Sequence, residues 1–385
     1  MEQIYLDYAA TTPVVPEVAE TVTDCLKKDF GNPSSMHRLG IRAEKRIRKA
    51  REQVSRLLQV EPEEIIFTSG GTESNNMAIL GTAYDKRRRG KHCITTAIEH
   101  PSVLNCFAHL EKMGYEVTYL PVDQNGVISL ESLQNALRED TILVSIMHVN
   151  NEVGSIEPVQ QVASLLDQCK NRPVFHVDGI QSFGKLPLYP KGWGIDLVSL
   201  SGHKIHAPKG IGALYRRKGV RIQPILFGGG QQGGIRSGTE NITGIVGMGT
   251  GADWIAERHA ENDRYLYELK EALVSGIRRD FPDVVINGDP ENSAPHILNV
   301  SFPGAKGEVL LHTLEEEEVY VSTGSACSSR EKKISHVLKA LGLNDRTADG
   351  SIRISLSYLT TPEEIASFLP ILSRSVQRVR EYTRR

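Results

Sequence analysis

The first residue whose setting could do covalent chemistry is a lysine just past an apolar run, in Asp196-Leu-Val-Ser-Leu-Ser-Gly-His-Lys204. An amine is a nucleophile only when neutral, so its reference pKa of ~10.4 must be lowered by desolvation or a nearby cation. His203 and a bound cofactor would supply such a setting; alone, a loop lysine is a solvated charge. A second signal is Val174-Phe-His-Val-Asp178, an apolar strand closing on a carboxylate. A charge there needs a partner, whether a protonated heterocyclic nitrogen, a helix N-terminus or a structural salt bridge. A third is Ile65-Ile-Phe-Thr-Ser-Gly-Gly-Thr72, which reads as a strand, a glycine turn at Gly70-Gly71 and a helix opening at Thr72. Free N–H groups and the helix dipole could cradle a phosphate there. The spacing is not GxxxxGK[ST], so the phosphate need not belong to a nucleotide, and a Gly-Gly turn alone is often structural. Of five cysteines, Cys25, Cys93, Cys106 and Cys169 sit in apolar patterns and read as packing residues, whereas Cys327 lies in the polar stretch Ser322-Thr-Gly-Ser-Ala-Cys-Ser-Ser329.

These residues need a scaffold that brings distant segments together. β-Branched runs alternate with helix-length amphipathic segments, from Ile65–Thr68 through Cys93–Thr96, Val117–Pro121, Ile142–His148, Val174–Asp178 and Leu197–Leu200 to Gly212–Tyr215. That alternation predicts an α/β domain with a largely parallel sheet. Polar clusters follow nearly every run, at Ser69–Thr72, Glu99-His100, Asn150-Asn151, Gly179–Gln181 and Ser201–Lys204. Ligands of open α/β sheets bind at the carboxyl ends of strands, so the five clusters are expected to converge. From about Trp254 the pattern changes to one long helical stretch ending near Phe281, then to strands at His296–Phe302, Val319–Ser322 and Ile352–Ser355. Helices at Gly307–Leu314, His336–Leu341 and Pro362–Val379 complete an α+β unit. The expected division is a large α/β domain over 16–253 and a smaller α+β domain from 1–15 and 254–385, carrying the cysteine loop at about 322–334.

Composition narrows the function class. At 385 residues the chain exceeds the ~250–300 at which single cores stop growing. With 39% hydrophobic and 24% charged residues it is an ordinary globular chain, and its net charge of −2 gives no footprint for nucleic acid or anionic membrane. The basic run Lys86–Lys91 reads as a solvated helix end. Nothing approaches the ~18 apolar residues of a membrane span and no leader pattern opens the chain, so a cytoplasmic location is expected. The odd, widely spaced cysteines suggest neither a disulfide framework nor a zinc site.

The segments together resemble the cysteine desulfurases, NifS- and IscS-like members of the class-V aminotransferase superfamily. The resemblance is carried by Tyr5-Leu-Asp-Tyr-Ala-Ala-Thr-Thr-Pro13, Gly31-Asn-Pro-Ser-Ser35, Phe67-Thr-Ser-Gly-Gly-Thr-Glu-Ser-Asn75, Glu99-His100, His148-Val-Asn-Asn-Glu152, His176-Val-Asp-Gly-Ile-Gln181 and Ser201-Gly-His-Lys204. Gly228-Gly-Gly-Gln231, Arg236-Ser-Gly-Thr-Glu-Asn241, Ser322-Thr-Gly-Ser-Ala-Cys327 and Ile352-Arg-Ile-Ser355 extend it, in order, along the chain. It implies a fold-type-I pyridoxal-phosphate transferase, with a mostly parallel seven-stranded sheet in the large domain, working as a homodimer. By the same resemblance Lys204 holds pyridoxal 5'-phosphate as a Schiff base and then acts as a base. Asp178 keeps the pyridine nitrogen protonated, Gln181 bonds the ring oxygen, His100 stacks on the ring and assists proton transfer, and Asn151 contacts ring or substrate. Gly71, Thr72, Ser201 and His203 seat the phosphate, with Thr239 reaching across from the second subunit. Arg353 pairs with the substrate carboxylate, assisted by Asn32. Cys327 takes the sulfur of L-cysteine as a persulfide, leaving alanine.

Ser-Thr-Gly-Ser-Ala-Cys-Ser-Ser, followed by Arg330-Glu-Lys-Lys333, resembles the housekeeping class with a long, mobile cysteine loop. About ten polar residues can span up to ~33–36 Å, enough to carry sulfur from a buried cofactor to a surface acceptor. The acceptors implied are iron–sulfur scaffold proteins or tRNA-thiolating enzymes. The short stretch after the last amphipathic helix favours a dedicated acceptor such as a tRNA-thiolating enzyme over a general scaffold. No intrinsic metal site is expected, though Cys327 could be a transient iron–sulfur ligand in a partner complex. Ala207 stands where the family often has glycine and Gly233 where a basic residue is frequent. The competing readings are a selenocysteine lyase, another pyridoxal-phosphate lyase or aminotransferase, and a docking scaffold without activity.

Overall fold

Short runs such as Ile65-Ile-Phe-Thr and Leu197-Val-Ser-Leu-Ser are buried along their whole length, as strands covered on both faces must be. The computed structural model describes residues 3–262, 264–323 and 334–383. In chain order its strands are β1 (Ile4–Tyr5), β2 (Ile65–Thr68), β3 (His92–Thr96), β4 (Glu116–Leu120), β5 (Thr141–Ser145), β6 (Val174–Asp178), β7 (Leu197–Ser201), β8 (Gly212–Arg216), β9 (Val285–Ile286), β10 (Ile297–Ser301), β11 (Val319–Tyr320) and β12 (Ser351–Ser355). β2 to β8 form a seven-stranded sheet in the order β2-β8-β7-β6-β5-β3-β4. All pairings are parallel except the two made by β8. β2, on the far side of β8, therefore runs the same way as β7 and β6, and its carboxyl end opens on the same edge.

The period-two alternation of a strand decides which side chains can meet there. On β6, Phe175 and Val177 enter one hydrophobic core, shared with the helices Arg38–Leu58 and Ile242–Glu261. Val174 enters the other, built from the helices Gly71–Lys86 and Pro101–Lys112 through Met77, Ala78, Val103 and Phe107. His176 and Asp178 share Val174's parity, so Asp178 emerges against the starts of those two helices.

A separate core joins β1, β10, β11 and β12 to the helices Tyr265–Asp280, Gly307–Glu315 and Pro362–Thr383. Its sheets are β12-β10-β9, antiparallel, and β1-β11, parallel. The helical stretch expected from Trp254 to Phe281 is two helices. Ile242–Glu261 starts upstream, capped by Asn241, and ends where Asn262 turns extended and its side chain accepts the N–H of Arg264 at 3.0 Å. An asparagine that bonds nearby backbone competes with the helical ladder. Trp254 and Ile255 lie in the core of the large sheet.

Candidate active site

The carboxyl ends of β2, β3, β5, β6 and β7 surround a cavity of about 560 Å³. Beyond β2, the helix Gly71–Lys86 begins with no side chain capping it, which leaves first-turn N–H groups and the positive helix end for an anion. Gly70 has φ +155, which L side chains rarely adopt, and a Cβ on Gly71 would press on the Ile180 side chain in the loop after β6, so the glycines let the turn sit close to that loop. Gly71 and Thr72 line the cavity with Ser201 and His203. The Ser201 hydroxyl is buried with no hydrogen-bond partner among the described residues. Burial, then the charge of Lys204, pushes the His203 imidazole down to about 4.

Asp178 ends β6 on the cavity floor. Its Oδ1 accepts from the Ile180 N–H at 3.0 Å and its Oδ2 from Asn75 Nδ2 at 2.8 Å. Burial raises its pKa, opposed by His100 and Lys204. A carboxylate so desolvated is stabilised by a cation against it, and a protonated ring nitrogen fits. Lys204 closes the turn Gly202–Lys204 after β7, and its Nζ donates to the carbonyls of Ala9 at 2.5 Å and Ala10 at 2.7 Å. Gln181 Nε2 donates to the same Ala9 carbonyl at 3.0 Å, while its Oε1 is buried and unpartnered.

His100 caps the helix Pro101–Lys112. The backbone N–H of Ser102 can only donate, so Nδ1 of His100 accepts (3.1 Å) and the neutral ring carries its proton on Nε2. Burial lowers its pKa. From β12, Arg353 reaches the cavity with Nη1 on the Asn151 carbonyl at 2.9 Å and Nη2 on Asp7 at 2.7 Å. Its Nε is buried without a partner among the described residues. Asn151 itself lines the cavity.

Two expected residues are not brought here. Asn32 is exposed, accepts the N–H of Ser34 on Oδ1 at 3.0 Å in the turn before the helix Arg38–Leu58, and does not line the cavity of its own chain. Thr239 is exposed and absent from the cavity of its own chain. Cys327 lies outside the described residues. Of the other cysteines, Cys93 and Cys106 are buried and pushed up to about 12 by burial; Cys25 is buried and raised, and Cys169 is half-buried and raised.

Several cavity residues had been given no role from sequence. Asn75 and Ser102 connect Asp178 to His100. Glu152, pushed up to about 7 by burial, accepts from the Ser335 hydroxyl at 2.5 Å, and His336 Nε2 donates to the Glu99 carbonyl at 3.0 Å. Behind the floor, Lys185 is buried with Nζ unpartnered and pushed down to about 7, by burial and then by Lys204. The only available signal was membership in motifs such as His148-Val-Asn-Asn-Glu152, which marks segments without assigning contacts.

The cavity therefore offers an anion seat, a buried carboxylate, an amine and a guanidinium to one ligand. The sequence profile for "Aminotransferase class-V" matches residues 4–368. The chain is 49% identical over 386 residues to "Cysteine desulfurase IscS" of Pectobacterium atrosepticum, covering 98% of this chain and 94% of that protein. It is 45% identical over 379 residues to the protein of the same name from Dictyoglomus turgidum, covering 98% and 95%. Among solved structures, a "NIFS-LIKE PROTEIN" superposes with a TM-score of 0.92 at 40% identity, covering 98% of this chain and all of the other.

Proposed function

The chain belongs to the class-V aminotransferase family and is a pyridoxal-phosphate-dependent cysteine desulfurase, and from that premise we propose which of its residues hold the cofactor, which hold the amino acid and which takes the sulfur. When bound, pyridoxal phosphate supplies an aldehyde that condenses with amines and a protonated ring that draws electrons from the α carbon. The residues fit it. The uncapped turn at Gly71 and Thr72, with Ser201 and His203, would hold the phosphate, and the desolvated carboxylate of Asp178 would hold the ring-nitrogen proton. Gln181 would bond the ring oxygen through its amide nitrogen.

Lys204 is the amine that carries the cofactor and, once released, takes the α proton. The carbonyls of Ala9 and Ala10 keep its Nζ at the cavity edge. His100, on the cavity wall, would lie against the ring and present Nε2–H as an acid. Arg353 binds the carboxylate of L-cysteine: Asp7 and the Asn151 carbonyl fix the guanidinium plane and leave Nε and the remaining N–H groups for the substrate. The Cys327 thiolate attacks the substrate sulfur. The carbon–sulfur bond breaks, a persulfide forms on Cys327, and protonation at carbon yields alanine.

Covalent geometry supports that assignment. Ser322 is bonded through its backbone to Arg353 (N–H to O, 3.1 Å), and three residues separate Thr323 from Cys327. At ~3.3–3.6 Å per residue the Cα of Cys327 is tied within roughly 13–14 Å of the Cα of Thr323, beside the strand that carries Arg353.

Residues 16–253 form the cofactor domain in this reading, and 1–15 with 254–385 the smaller one. A second copy completes the site. Phe227 is 89% exposed, Met36 95% and Phe30 73%, which is costly for apolar side chains in water, and the exposed Thr239 would reach the partner's phosphate seat. The persulfide passes to an acceptor protein, either an iron–sulfur scaffold or a tRNA-thiolating enzyme.

The convergence of Asp178, Lys204 and the glycine turn on one cavity carries this reading. Supplying purified protein with L-cysteine and a thiol reductant tests it: alanine and sulfide should form in equal amounts. Pyruvate or a keto acid in place of alanine would refute it.

A further inference from the structure

Asp178 and His100 would do different work, one at the ring nitrogen and one above the ring, yet two side chains, Asn75 and Ser102, join them in an unbroken line. Asn75, fully buried on the sheet-facing side of the helix Gly71–Lys86, donates from Nδ2 to Asp178 Oδ2 at 2.8 Å and to Ser102 Oγ at 2.9 Å. Ser102 Oγ stands 2.8 Å from Nδ1 of His100.

Donor and acceptor rules orient the whole line. An ionised Asp178 only accepts, so Asn75 must turn its NH2 toward it. The same NH2 then donates to Ser102, whose hydroxyl proton is left to point at His100. Nδ1 of His100 thus accepts from both the hydroxyl and the backbone N–H of Ser102. Its proton is confined to Nε2. Among the described residues Asn75 Oδ1 is buried with no partner, so no contact of that oxygen there accounts for the amide's orientation.

We propose that Asn75 is a positioning residue that ties the charge of Asp178 to the hydrogen bonding of His100: it holds the Ser102 hydroxyl as a second donor to Nδ1, beside the Ser102 N–H, so that a cofactor seated on Asp178 would meet an imidazole held firmly in place with its proton on Nε2. This rests on the cofactor reading of the cavity and assigns Asn75 and Ser102 a part in it. The other charged groups acting on His100 are Lys204 and His336, and neither belongs to the line.

Nitrogen NMR of the full chain with labelled histidine, with and without pyridoxal phosphate, tests the relay. In the unaltered protein His100 should show an unprotonated, hydrogen-bonded Nδ1 in both states. Asn75→Ala frees the Ser102 hydroxyl to turn away, so Nδ1 keeps the backbone N–H alone and its signal should move to that of a more weakly hydrogen-bonded acceptor. In a Ser102→Ala background the line is already cut, and adding Asn75→Ala should leave the His100 signals where they are. Alanine formation should fall roughly 10-fold in each single variant and no further in the double, the size expected of one lost hydrogen bond to a charged network. Should Asn75→Ala fail to fold, Asn75→Ser, too short to bridge both partners, is read in the same way.

The proposal is overturned if Asn75→Ala leaves the His100 nitrogens unchanged, or moves them equally with and without Ser102. The apoprotein spectra decide this without turnover. A protein that forms no alanine but shows the relay would refute the desulfurase reading alone.

Discussion

The floor of the cavity and its rim are built differently. On the floor, Asp178, Lys204 and the Gly70-Gly71 turn sit at strand ends of the large sheet, and Asp178 and Lys204 are fixed by hydrogen bonds of 2.5–3.0 Å. On the rim, Arg353 comes from β12 and Ser335 from the start of the helix His336–Ala340, while Cys327, which stands between Ser322 and Ser335 in the sequence, lies outside the described residues. Bond-breaking at the α carbon needs groups preorganised to a fraction of an ångström, which a hydrogen-bonded sheet edge supplies. Delivering sulfur to another protein requires a carrier that can leave. The rim accordingly fixes the two flanks of the cysteine segment, Ser322 on Arg353 and Ser335 on Glu152.

The sharpest way to break this comparison is to remove one residue from each side. Lys204→Ala should lower alanine formation roughly 10³-fold or more and abolish the visible band of the bound cofactor. Cys327→Ala should abolish sulfur transfer to a comparable degree while that band persists. A Cys327→Ala protein that still releases sulfide at the unaltered rate would move the sulfur chemistry to the floor.

Asp178→Asn removes the charge that holds the ring-nitrogen proton. Turnover should fall roughly 10²–10³-fold at little change in KM, by loss of an electrostatic interaction strongest in the transition state. Arg353→Lys keeps the charge but loses the planar fork, so KM for cysteine should rise roughly 10-fold with kcat less affected.

The smallest effect concerns Glu152. Its carboxyl is pushed by burial from 4.5 to about 7, so between those pH values the native chain holds a proton that the unfolded chain releases. Stability from this group is present below pH 4.5 and is lost as pH rises toward 7. Glu152→Gln should flatten that slope in thermal midpoints taken from pH 5 to 8.

Much of the floor was legible because it is local. Each chemical residue there follows a β-branched run, and strands such as Ile65–Thr68 and Val174–Asp178 fall where their patterns end. β1 and β9 were not read, since two residues carry no period. The break at Asn262 was hidden by amphipathic sequence on both sides. Asn75, Ser102 and Glu152 acquire partners 27, 103 and 183 residues away, and no local spacing encodes such pairs. Asn32 and Thr239 lie on this chain's surface, where a family motif does not say which copy's cavity they serve.

The division between floor and rim is tested most directly by exposing the protein briefly to sulfur-labelled L-cysteine without reductant, then digesting it and locating the label by mass spectrometry. The label is predicted on Cys327 as one added sulfur atom, in an amount matching the alanine released. Label on Cys25, Cys93, Cys106 or Cys169, or alanine released with no sulfur held by the protein, would contradict it.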